Sequence, residues 1–133
     1  MNLDKLRAAW TPRVLSVLRI MSALVLLQFG LAKLFGFPVL AVLNNTQRFS
    51  LNWFAGCIEL VGGALLLIGL YSRWSAFVLS GLMAFAYFLG HAHRGLIPLL
   101  NGGNQAILFC FIFLYLAFAG GGSWSVDALR KRT

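Results

Sequence analysis

From Val14 to Phe37, Asn52 to Tyr71, Arg73 to His91 and Gly103 to Ala119, the chain is apolar almost without interruption. Runs of about 20 residues are what a helix needs to cross hydrocarbon, where each backbone N–H and C=O must be satisfied within its own segment. The runs are continuous rather than alternating, which argues against the strands of a β-barrel. Of 133 residues, 11% are charged, against roughly one quarter in a soluble domain. The expected fold is therefore all-α: one integral-membrane domain over residues 1–133, a four-helix bundle with little chain left for a soluble unit. The only connection between the second and third runs is Tyr71-Ser72-Arg73, which makes those helices an antiparallel hairpin.

The formal net charge of +8 is concentrated at the run ends. No basic stripe accompanies aromatic platforms, so nucleic acid is not an expected partner. Asp4, Lys5, Arg7 and Arg13 precede the first run, Arg73 lies between the second and third, and Arg130, Lys131 and Arg132 follow the fourth. The other two connections carry Arg48 and Arg94, and the positive-inside rule then places both termini in the cytoplasm. The first run exceeds a signal-peptide core and is expected to be retained. Trp10, Trp53, Trp74 and Trp124 fall near helix ends, as interfacial anchors do. Cys57 and Cys110 lie in separate runs without CxxC spacing and read as small buried hydrophobes. His91 and His93, at i, i+2, do not share a helix face, and zinc would need ligands from elsewhere, so no metal site is expected.

The polar residues inside the runs are the informative ones. Glu59 stands in WFAGCIELVGG, where an intramembrane carboxylate is costly and usually faces another helix. Gly56, Gly62 and Gly63 lie three or four positions away and allow a close helix approach on the same side. Lys33, near the outer end of the first helix, is the expected partner, with His91 as the alternative. Gln28, His91 and Asn101 reach a similar depth, the outer half of the bilayer. The Glu59–Lys33 pair either fixes helix registry or marks a functional site. Arg19 lies near the other end and is expected to snorkel to headgroups. The chain has no intramembrane haem-ligand pair, iron–sulfur cysteine set or nucleotide loop, so no intrinsic cofactor is expected.

LRIMSALVLLQFGLAKLFGF, GCIELVGGALLLIGLYSRWSA, HAHRGLIPLLNGGNQ and GGGSWSVD, in that order, resemble the DoxX family of small four-helix bacterial membrane proteins. The resemblance covers almost everything from Val14 to Leu129. It implies a multi-pass protein of the bacterial inner membrane tied to respiratory or redox complexes, with lipids around it and a redox subunit or further copies of itself as partners. Lys33 falls on the family's G-x-x-K-L-F-G segment, Glu59 on G-x-x-E-x-x-G-G, and Asn101 on N-G-G-E, where this chain has Asn104 in place of the acid. With the resemblance in hand, the expected site is an outward polar pocket for a quinone or quinol. In it Glu59 is the catalytic proton acceptor or relay, and Gln28, Lys33, His91 and Asn101 bind the headgroup. A small proton-coupled transporter and an assembly subunit without chemistry of its own are the rival readings.

Overall fold

The computed structural model describes residues 2–132, and among them there is no strand. Seven α-helices follow one another: α1 Leu3–Phe35, α2 Ala41–Asn44, α3 Leu51–Ile68, α4 Ser72–Gly90, α5 Pro98–Asn101, α6 Asn104–Ala119 and α7 Val126–Arg132, with a 3-10 turn at Ala92–Arg94. Three are long and apolar enough to cross a membrane: α1, α3, and α4 with its 3-10 extension. The fourth apolar helix, α6, has 16 residues, a rise of about 24 Å that falls short of the roughly 30 Å of hydrocarbon.

The first helix begins at Leu3 rather than at Val14. The apolar pattern marks only the part of a helix that needs burial; the earlier start comes from Asn2, whose side chain accepts from Asp4 N at 3.1 Å, and from a run of good helix formers. Its 33 residues span about 50 Å, so its first turns project beyond the apolar layer. The second helix stops at Ile68, short of Tyr71, because Gly69 turns left-handed at φ 75° and returns its N–H to Leu65 and Leu66.

Helix α1 lies along α3, α4 along α6, and α3 against α4, whereas α1 and α6 touch only sparsely. The apolar core joins Ala23 and Leu26 of α1 to Leu66, Ala76, Leu79 and Met83, and to Phe109, Phe113 and Leu116 of α6. Phe77, Phe85, Phe88, Phe111 and Phe118 point outward, while Ser16, Arg19, Ser22, Glu59, Ser72, Ser75, Ser80 and Asn101 are buried. Polar groups inside and large apolar groups outside suit lipid surroundings, where small residues and internal hydrogen bonds hold helices together.

The segment after α6 folds back under α1 and corrects the expectation for Arg19. That side chain is 1% exposed and does not reach for headgroups: it donates to the carbonyls of Gly121 and Trp124, the latter at 2.8 Å. Ser123 N donates to Pro12 O at 3.2 Å and Trp124 N to Ser16 Oγ at 2.9 Å. The carbonyls of a tight glycine turn lie within hydrogen-bond reach of Arg19 and hold its guanidinium inside the protein. Gly122, at φ 80°, admits no side chain: a Cβ there would stand 2.3 Å from Ser16 Oγ. Cys57 and Cys110 are unpaired.

Asp127 completes this clasp by accepting from Tyr71 N and Ser72 N, each at 2.8 Å, at the start of α4. Burial pushes its carboxyl up, but the Ser72 and Tyr71 donors and the Arg130 charge outweigh this and hold it below its ordinary 3.8. The stabilisation it brings is thus complete above 3.8 and is lost as pH falls through the lower folded value. Asp127→Asn is expected to cost about 1 kcal/mol at neutral pH and to remove that acid-side loss. Thermal unfolding in detergent between neutral pH and pH near 3 checks both; equal slopes for the two proteins would refute the cap.

Candidate functional site

The last turn of α1 carries Lys33, and the third turn of α3 carries Glu59. The helices meet closely there because glycines line the seam: a Cβ on Gly56 would stand 3.1 Å from Lys33 Cβ, and one on Gly63 2.9 Å from Leu27 Cδ2. Lys33 Nζ donates to Glu59 Oε1 at 2.8 Å, with side-chain exposures of 12% and 3%. The other carboxylate oxygen, Oε2, is buried with no hydrogen-bond partner. An unsatisfied oxygen of this kind costs about 1–3 kcal/mol, more when charged, so it asks for a function or a ligand donor.

A cleft of about 530 Å3 opens beside the pair, lined by Lys33, Leu34, Phe35, Thr46, Arg48, Phe49 and Trp53. Its far wall is the connection between α1 and α3, which holds one turn of helix, α2. That turn is tied to α1 by Asn44 Nδ2, which donates to Ala32 O at 3.1 Å. Phe49 adopts a left-handed φ of 64°, a conformation that costs a non-glycine residue energy and is found where surroundings enforce it. It brings the Phe49 ring to 5.0 Å from that of Trp53. Lys33 thus lines an aromatic-walled cleft and joins it to Glu59, which does not itself line the cleft, through the 2.8 Å ion pair.

The remaining expected residues do not join this pair. Asn101, 1% exposed, donates to Tyr87 OH at 3.2 Å and Gly95 O at 3.0 Å, and accepts from Gly103 N at 2.8 Å. His91 Nδ1 lies 3.1 Å from Asn101 O. These contacts staple the α4–α6 connection, and neither side chain hydrogen-bonds to Lys33 or Glu59. Gln28 is exposed on α1 and Asn104 on α6, and Gln28 makes no hydrogen bond to either group. Among the described residues, no group of three or more His, Cys, Asp or Glu could hold a metal ion. Arg48, Phe49 and Trp53 were not expected as site residues. Their signal was an arginine within a short connection beside aromatics, which charge counting reads only as topology.

The DoxX family model matches residues 14–92. The chain is also 40% identical over 130 residues to an uncharacterized protein of Haemophilus influenzae strain Rd, covering 95% of this chain and 94% of that one. No solved structure matches.

Proposed function

Because this chain belongs to the DoxX family of membrane proteins, we propose that it serves as an inner-membrane subunit of a redox system linked to quinone. In this reading α1, α3, α4 and α6 form the four-helix transmembrane bundle, both termini are cytoplasmic, and the Lys33–Glu59 cleft faces outward. The support for sidedness is the excess of Lys and Arg at the termini end. α6 reaches the far surface with the help of α5 and the loop before it, which fill the remaining depth.

The observation that carries the proposal is the unpartnered Oε2 of Glu59, whose other oxygen is held by the same Lys33 that lines the cleft. A quinol in that cleft offers a hydroxyl, and Glu59 accepts its proton at Oε2 while Lys33 stabilises the ionised form before transfer. The second proton passes to water, and the two electrons pass to a redox centre held by a partner subunit, since this chain's sequence contains no ligand set for one. Phe49 and Trp53 supply the apolar walls that suit a ring with few polar groups.

Glu59→Gln tests the assignment. Quinol-linked turnover in native membranes, normalised to assembled complex, is expected to fall by roughly 100-fold. Unchanged turnover per complex with less complex present would replace this reading by an assembly role. Substrate-dependent proton flux in liposomes of the protein alone would replace it by transport.

A further inference from the structure

A second opening lies at the other end of the molecule, where α1 and α6 part. It is a groove of about 660 Å3 whose walls include Leu6, Arg7, Trp10, Val14, Leu18 and Tyr115. From Leu18 to Leu6 it follows α1 for about 18 Å, starting within the apolar run and ending on the turns that project beyond it. The walls are thus apolar at membrane depth and cationic at headgroup depth.

Charge decides the occupant. Lys5, Arg7 and Arg13 stand on this stretch of α1, and Arg13 also covers the Trp10 ring, its Cζ 5.2 Å from the centroid. Among the described residues, the carboxylate paired with Arg7 is Asp4, at 3.9 Å and 83% exposed, too solvated to neutralise it. A second copy of the chain would bring the same cations to the same level and be repelled. We infer that this groove binds one anionic phospholipid, its acyl chain along Val14 and Leu18 and its phosphate on Arg7, in the leaflet on the termini side. Basic sites between transmembrane helices recognise lipid headgroups in this way.

Native mass spectrometry of the full chain, purified in mild detergent and supplied with phosphatidylglycerol or phosphatidylcholine, tests the site. One phosphatidylglycerol is expected to stay bound, with phosphatidylcholine retained about fivefold less. Arg7→Gln should weaken phosphatidylglycerol retention about fivefold, the ratio that corresponds to about 1 kcal/mol per basic side chain near an anionic surface. Val14→Trp, which fills the groove, should remove both lipids. Both positions are exposed, so unfolding temperatures should match wild type. Equal retention of the two lipids overturns the inference, as does retention indifferent to either substitution. So does a dimer or an acidic protein partner that disappears with Val14→Trp while lipid retention does not change.

Discussion

Lys33→Met is expected to cost about 3–5 kcal/mol of stability, the penalty for leaving one member of a buried ion pair alone. Glu59 is 3% exposed, and its Oε2 lacks a protein partner, so no other side chain takes over what Lys33 Nζ provides at Oε1. The companion variant Lys33→Met/Glu59→Leu removes both charges and should regain most of the loss, because exchanging a whole buried pair for apolar side chains is often neutral or better. The measurement is thermal unfolding in detergent of wild type, both single variants and the double, read as a double-mutant cycle. If Lys33→Met unfolds as wild type does, the pair is not what holds α1 to α3. The double variant also separates packing from chemistry. A stable but inactive double assigns chemistry to the pair, and a stable active one leaves it as a registry device.

Arg19→Leu is expected to cost about 3–5 kcal/mol by the same physical logic at the opposite end. Hydrogen bonds from a charged donor contribute about 1.5–3 kcal/mol each, and Arg19 donates to the Gly121 and Trp124 carbonyls, with Leu67 O at the limit of reach. Leucine fills the space but donates nothing, so residues 121–124 stay tied to α1 only by the neutral hydrogen bonds from and to Pro12 and Ser16. Limited proteolysis should cut this segment faster in the variant, alongside a lower unfolding temperature. Arg19→Lys should recover only part of the loss, since a single ammonium cannot fork across two carbonyls. A variant as stable and as protease-resistant as wild type would mean that the guanidinium reaches headgroups after all.

The sequence made the helices legible where burial in lipid dictates them, because the apolar runs are long and unbroken. It also made the Glu59 face legible, since Gly56 and Gly63 beside a lone carboxylate have few meanings other than a close helix contact. Lys33 followed as partner by depth alone. Features built by loops were not legible. Nothing periodic announces that Arg48, Phe49 and Trp53 wall a cleft with Lys33, because a left-handed phenylalanine is set by tertiary contacts rather than local propensity. Asn101 was legible as a buried-depth polar residue, but not as a staple whose amide is spent on Tyr87, Gly95 and Gly103. Arg19 was misread because the acceptors that hold it lie about a hundred positions further on, in a glycine-rich segment that resembles a linker.

That separation sets the order of events during synthesis. Arg19 leaves the ribosome long before Gly121 and Trp124 exist, and its first helix enters the bilayer with the guanidinium still lacking the carbonyls that will hold it. Until residues 121–124 are made, Arg19 lacks the Gly121 and Trp124 carbonyls and has only Leu67 O at the limit of reach, a state the bilayer penalises. A chain that stops short of the glycine turn lacks those two acceptors for good.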